Sequence, residues 1–167
     1  INTENGEYNI YGLTIKDEHK AASMTFQQVI EMSSNVGVAK LSMRLGSERF
    51  YKYARDFGFG ISSGIELPGE NKGLLKRPID YTVTSLPYMG TGYEVNINAL
   101  QIASAYNCIA NKGMLLKPYI LKKEIKNDGS VLFENHPENV RQVVSENTSK
   151  IMTMLFTGVV ERGTGTD

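Results

Sequence analysis

Little in this chain can hold a metal or a covalent staple. Its 167 residues contain one cysteine, two histidines and no tryptophan. A single thiol, Cys108, excludes an internal disulfide framework and a cysteine-rich zinc site. His19 and His136 lie far apart in sequence, which argues against a histidine metal cluster. No apolar run approaches 18 residues, so no segment reads as a membrane span, and no secretory leader pattern is present. Ile1 and Asp167 read as the ends of a cut piece, so the missing targeting signal says nothing about compartment. Neither sign of charge is in excess. Lys plus Arg number 18 and Asp plus Glu number 18, which argues against an electrostatic footprint for nucleic acid.

What is present fits one folded domain. Hydrophobic residues make up 41% and charged residues 22%, the balance of a globular chain rather than a disordered one. At this length a domain buries roughly 70% of its unfolded surface and needs no cross-link to fold.

Residues 1–22 are polar and turn-rich and read as extended or looped. Thr25-Phe26-Gln27-Gln28 has the form of a capping box, and Phe26, Val29 and Ile30 follow at helical spacing, which predicts a helix over 25–33. Ser33-Ser34-Asn35 interrupts it, because these side chains compete for backbone partners and favour caps and turns. Val38, Leu41 and Leu45 restart the period up to Gly46. Ser47 is placed to cap a third helix with Phe50, Tyr53, Ala54 and Phe57 on one face. Residues 58–92 hold seven of the 16 glycines and three of the five prolines and read as a long connection. Loops of that length are usually functional. A helix is predicted over 98–112, with Ala99, Ile102, Ala103, Tyr106 and Ile109 on one face. A strand-like stretch follows over 115–126. Asn127-Asp128-Gly129 is a hairpin signal with Val131-Leu132-Phe133 as the return strand. A last helix is capped by Ser145, with Ile151, Met154, Leu155 and Val159 turned inward.

The tripeptide Ser33-Ser34-Asn35 carries the most information. A bare Ser-x-Asn occurs by chance about half the time in a chain this long, and a second one, Ser145-Glu146-Asn147, is present. Position separates them. Ser145-Glu146-Asn147 sits where a helix N-cap is expected, and a cap accounts for it. Ser33-Ser34-Asn35 joins two short amphipathic helices. A hydroxyl and an amide pointing from such a junction into a cleft could relay a proton and hold a peptide group. A turn with an N-cap is the structural alternative.

The stretch from Thr25 to Leu41, around Ser33-Ser34-Asn35, resembles the second motif region of class B penicillin-binding proteins, the D,D-transpeptidases of peptidoglycan. Phe57-Gly58-Phe59-Gly60 and Gly64-Ile65-Glu66-Leu67-Pro68-Gly69-Glu70 are similar to the segment that follows in that family. Gly90-Thr91-Gly92-Tyr93-Glu94-Val95, leading into Leu100-Gln101-Ile102-Ala103-Ser104-Ala105-Tyr106, is similar to its Gly-x-Gly loop and long helix. Asn111-Lys112-Gly113 with Lys117-Pro118 matches the turn into the next strand. The resemblance spans roughly 14–167 and rests on the order and spacing of these segments. Thr14-Ile15-Lys16-Asp17-Glu18-His19 is similar to the cell-division type, which leans toward that type over the elongation type.

The resemblance implies a mostly helical α+β fold, part of the penicillin-binding and serine β-lactamase-like transpeptidase fold: a helical subdomain, a β-hairpin and a flanking helix. It implies a serine acyl-enzyme mechanism whose signature has three parts, Ser-x-x-Lys, Ser-x-Asn and Lys-Thr-Gly. Only the second occurs here. Residues 1–167 are therefore expected to be one partial transpeptidase domain, with the nucleophile upstream and Lys-Thr-Gly downstream, and to be inactive alone. By the family pattern Ser33 passes a proton to the leaving or attacking nitrogen, Asn35 holds the stem-peptide amide, and Thr91 in the Gly-x-Gly loop touches substrate. Met89 and Thr91 stand where relatives often carry aromatics. No metal, nucleotide or other cofactor is implied. The implied partners are peptidoglycan stem peptides, β-lactam antibiotics and cell-division proteins, with no nucleic acid. The parent would be anchored in the bacterial cytoplasmic membrane with this domain outside the cytoplasm, and the piece itself soluble. Alternatives are a β-lactamase or carboxypeptidase relative and a noncatalytic scaffold or sensor.

The remaining features read as structural. Cys108 is expected to be an inert core thiol, His19 a surface residue, and Tyr53, Phe57 and Tyr106 core. Lys40 is expected to face solvent, and Lys122, Lys123 and Lys126 to be the solvated side of a hairpin.

Overall fold

The structure is a computed structural model and describes residues 1–166. The polar N-terminal stretch is more ordered than its composition suggests. Its alternation of Tyr8 and Ile10 with polar neighbours forms strand β1 (Glu7–Ile10), which pairs antiparallel with β2 (Leu13–Lys16). Ile15 on β2 packs with Val36 and Ala39, and Tyr8 and Ile10 close over them.

Three helices follow. In α1 (Phe26–Glu31) both halves of the capping box form. Helix α2 (Asn35–Leu45) ends at Gly46, as expected. Helix α3 (Ser47–Asp56) starts differently from expectation: Gly46 is its N-cap and Ser47 lies inside the first turn with no capping bond. Gly46 thus serves two helix ends, which leaves Ser47 no cap position.

The 58–92 connection holds elements that its glycines and prolines concealed: β3 (Leu74–Leu75) and α4 (Ser85–Gly90). Pro87 is compatible with α4 because the first N–H groups of a helix have no internal partner to lose. Ser85, Pro87 and Met89 are buried, and Ser42 of α2 donates to Leu86 O at 2.8 Å. Strand β4 (Val95–Asn96) pairs with β3.

Helix α5 (Ala99–Ala110) begins with a second capping box, Asn98 with Gln101. Gln101 is 2% exposed, and its amide donates to the carbonyls of Ile61 and Lys72 at 2.8 and 2.9 Å, pinning the connection to α5. The buried side of α5 is Gln101, Cys108 and Ile109, and Cys108 packs with Leu115 and Val143. Of the expected face Ile109 is buried, whereas Ala99, Ile102, Ala103 and Tyr106 are exposed. Periodicity marks an apolar face but not which face finds a partner.

Strands β5 (Met114–Leu116) and β8 (Asn139–Gln142) pair, as do β6 (Lys123–Ile125) and β7 (Val131–Glu134) around the Asn127-Asp128-Gly129 turn. Helix α6 (Glu146–Arg162) is capped by Ser145. Ser149, Leu155 and Gly158 form its buried line, whereas Ile151 and Met154 are exposed. A polar Ser149 is inside because its hydroxyl donates to Ile109 O of α5. Tyr53 and Tyr106 are exposed rather than core, although Tyr106 leans on Phe156 with ring centroids 5.3 Å apart.

Candidate active site

The α1–α2 junction is built around a shift of one residue in the cap. Ser33 follows the last turn of α1 with φ 51°, left-handed backbone that a serine adopts at a cost. The turn lets Ser34 N bond back to Val29 O at 3.0 Å. Ser34, not Ser33, then caps α2: its Oγ accepts from Gly37 N at 2.9 Å. Ser34 also donates to Asp17 Oδ2 at 2.6 Å, and Asp17 Oδ1 accepts from Val36 N at 2.8 Å. A buried carboxylate on the first turn of α2 is favourable because unpaired N–H groups and the helix dipole both face it. Next to it, Asn35 Nδ2 donates to Lys16 O at 3.0 Å. The end of β2 therefore holds both Ser34 and Asn35.

Ser34 taking the cap leaves two polar groups spare. Asn35 Oδ1 has no partner among the described residues. Ser33 Oγ is exposed and lies 3.0 Å from Thr164 Oγ1. Asn35 lines a cleft of about 530 Å³ with Lys16, Tyr88, Thr91, Tyr93 and Glu94 among its other walls. Two expected site residues, Asn35 and Thr91, thus meet at one cleft. Ser33 sits beside it, against Thr164, and is not part of its lining. Thr91 Oγ1 donates to Tyr88 O at 2.9 Å, which leaves its hydroxyl only acceptor capacity for another group.

The Gly-x-Gly loop lacks aromatics, but its neighbours supply them. Met89 is buried, while Tyr88 and Tyr93 meet edge-on with centroids 5.9 Å apart. Beside them Glu94 accepts from Lys76 at 2.7 Å and Ser85 at 3.0 Å. The Lys76 ammonium, with help from Ser85, holds the Glu94 carboxyl below the usual carboxylate range.

Several residues of this site escaped sequence reasoning. Asp17 is one, and its signal was strand parity: Leu13, Ile15 and Asp17 alternate onto the inward side of the hairpin. Lys40 does not face solvent freely. It donates to Asn2 O, pairs with Glu4, and stands 4.4 Å over the Tyr8 ring, tying α2 to the N-terminal segment. Cys108 is fully buried, and burial pushes its thiol pKa up. His19 is exposed.

Comparison with known proteins places this architecture. Residues 1–167 match the family described as penicillin binding protein transpeptidase domain. The chain belongs to that family. Penicillin-binding protein PbpB of Mycolicibacterium smegmatis is 38% identical over 160 residues, covering 94% of this chain and 24% of that protein. The probable peptidoglycan D,D-transpeptidase PenA of Neisseria meningitidis is 31% identical, covering 99% of this chain and 26% of that protein. In three dimensions the chain resembles the crystal structure of penicillin binding protein 3 from Mycobacterium tuberculosis complexed with aztreonam, with a TM-score of 0.84 and 33% identity. That match covers 95% of this chain and 36% of the other. The chain spans about a quarter of the length of the curated relatives it matches. Its mostly helical α+β architecture is thus part of the penicillin-binding transpeptidase fold.

Proposed function

We infer that the parent protein is a serine-type peptidoglycan D,D-transpeptidase that crosslinks stem peptides through an acyl-enzyme and is acylated by β-lactams. One observation carries this reading: Ser34 takes over the capping of α2, which frees Ser33 and Asn35 for chemistry at a fixed junction. The likeness to a protein solved with aztreonam and to a probable peptidoglycan D,D-transpeptidase supports it.

In the proposed reaction a nucleophilic serine attacks the D-Ala-D-Ala carbonyl of one stem and D-Ala departs. The amine of a second stem then attacks the acyl-enzyme. Ser33 hands its proton to the departing nitrogen as the proton released by the attacking serine replaces it. In the second half-reaction the transfers reverse: Ser33 takes a proton from the attacking nitrogen and one returns to the oxygen of the departing serine. Asn35, oriented by its bond to Lys16 O, accepts from a stem-peptide N–H through Oδ1. Thr91 and the two tyrosines shape the wall opposite. The chain contains neither Ser-x-x-Lys nor Lys-Thr-Gly. Residues 1–167 are proposed to be one partial domain, with those motifs in the flanking parts of the longer protein. The resemblance of Thr14-Ile15-Lys16-Asp17-Glu18-His19 to the cell-division type favours a septal role with division proteins as partners, and the family pattern favours a membrane anchor that places this domain outside the cytoplasm.

The test is acylation of the full-length protein by a labelled penicillin. Ser33→Ala is expected to slow acylation by about 10²–10⁴-fold, the usual worth of a positioned proton carrier. Ser145→Ala is expected to leave the rate unchanged and to lower stability by about 0.5–2 kcal/mol, the cost of a cap. The 167-residue chain alone should gain no drug mass. An unchanged rate in Ser33→Ala would show that Ser33-Ser34-Asn35 is only a turn.

A further inference from the structure

The far end of α6 closes on the last residue of α1, two residues before Ser33, and does so at two points. Glu31 is 5% exposed. Its Oε1 accepts from Gln27 Nε2 at 2.8 Å and from Arg162 Nη2 at 2.7 Å. Its backbone carbonyl accepts from Thr164 N at 3.1 Å. A buried carboxylate needs such a partner, since an unpaired one is costly.

Glycine makes the approach possible. A Cβ on Gly158 would fall 1.9 Å from Glu31 Oε1, and one on Gly163 would fall 2.0 Å from Glu31 O. A side chain at Gly163 would meet the α1 backbone and push the chain beyond α6 away from α1, and one at Gly158 would displace the Glu31 carboxylate and the Arg162 guanidinium from each other. The backbone beyond α6 is then folded back on itself, with Gly165 N bonding to Val159 O at 3.0 Å. The result of this two-point grip is the 3.0 Å contact between Thr164 Oγ1 and Ser33 Oγ, across 131 residues of sequence.

We propose that Thr164 and Arg162 are positioning residues for Ser33: the Arg162–Glu31 pair fixes the register of α6 on α1, and the Thr164 hydroxyl donates to Ser33 Oγ. The Ser33 proton is thereby directed away from α6, toward the reacting nitrogen. No bond is made or broken at Thr164, which stays neutral throughout. The proposal rests on the reading of Ser33 as a proton carrier.

It is tested in the full-length protein by acylation with a labelled penicillin. Each variant is made alone and in the Ser33→Ala background, with thermal midpoints measured alongside. Thr164→Val is nearly isosteric and exposed, so it leaves the fold intact. It is expected to slow acylation about 10–100-fold, because small misplacements of a reacting group cost that much. Thr164→Ser, which keeps the hydroxyl, recovers most of the rate. Arg162→Met is expected to slow acylation about 3–10-fold and Arg162→Lys less, since only the register is loosened. In the Ser33→Ala background each of these further losses shrinks below about twofold, the non-additivity of residues that act through one another. A normal rate in Thr164→Val together with a slow Ser33→Ala overturns the positioning role and leaves the proton-carrier reading standing. Full losses that persist in the Ser33→Ala background also overturn it, by showing that Thr164 acts elsewhere. A normal rate in Ser33→Ala overturns the proton-carrier reading itself, and the positioning role falls with it.

Discussion

Two Ser-x-Asn tripeptides stand at helix starts in this chain, and one residue of register separates what they can do. At Ser145-Glu146-Asn147 the first serine is the cap, accepting from Thr148 N at 3.1 Å and exchanging a bond with Thr148 Oγ1 at 2.9 Å. Its hydroxyl is consumed by the helix. At Ser33-Ser34-Asn35 the middle serine is the cap, so the flanking hydroxyl and amide owe nothing to the α2 backbone. The difference is also one of surroundings. Ser34 is 1% exposed and bonded to a buried Asp17, whereas Ser145 stands in solvent. A motif of three letters therefore has its first hydroxyl free of the helix only where a residue other than the first serine is the cap.

That comparison can be broken at its support. Asp17→Ala removes the acceptor for Ser34 Oγ and Val36 N, both inside the protein. Hydrogen bonds to a charged group are worth about 1.5–3 kcal/mol, and the orphaned donors add to the loss. The expected result is a fall in folding stability of at least that size, measured by urea unfolding, with slower acylation of the full-length protein because the start of α2, which carries Asn35, is no longer tied down by Asp17. Asp17→Asn can still accept from one of the two donors and should fall between. Stability within error of wild type for Asp17→Ala would mean that α2 needs no support from β2, and the contrast with Ser145 would lose its physical basis.

Acid should separate the two junctions by a smaller amount. The bonds from Gln27 and Arg162 hold the Glu31 carboxyl below the usual carboxylate range. The bond from Lys150 and the charge of Lys112 do the same for Glu146. A carboxyl whose folded pKa is depressed adds stability above its unfolded pKa and loses it as pH falls through the folded one. Both contributions are therefore present at neutral pH and vanish below the ordinary carboxylate range. Glu146 and its lysines are exposed, so salt screens them. Glu31 is enclosed and its share should survive salt. Unfolding curves between pH 7 and 3, at low and high salt, should show Glu31→Gln flattening the acid limb at both ionic strengths and Glu146→Gln only at low salt.

Much of the frame was legible in residues alone. Thr25 with Gln28, Gly46, Asn127-Asp128-Gly129 and Ser145 act through short-range chemistry, and each stands where its side chain predicts. The site was legible only in part. That Ser33-Ser34-Asn35 breaks two helices follows from local competition for the backbone, but that Ser34 rather than Ser33 would cap depends on Asp17 arriving from 17 residues upstream. Thr164 meets Ser33 across 131 residues through a grip set by two glycines, which no periodicity encodes. Helix α4 was hidden because six residues with a proline and a glycine carry no measurable period. The faces expected of α5 and α6 hold at Ile109 and Leu155 only, and the misses share one cause. Both helices have more than one apolar stripe, and the buried one is chosen by Ser149 and Gln101, polar residues whose hydrogen bonds reach across to neighbouring segments.

The smallest effect is the most exact test of the cap itself. Replacing an N-cap serine with glycine costs only a few tenths of a kcal/mol when water can reach the freed N–H groups. Ser145 is such a case, since its partner Thr148 N lies at an exposed helix start. Ser145→Gly should shift the urea midpoint barely at all. Ser34→Gly should cost about 1–3 kcal/mol more, because water cannot replace a hydroxyl that is 1% exposed and the buried Asp17 Oδ2 is left without its donor. The two substitutions delete the same atoms at the same helix position, so their difference isolates burial from capping. Equal midpoint shifts would place both serines in the same class, and the freedom of Ser33 would then have to come from its left-handed backbone alone.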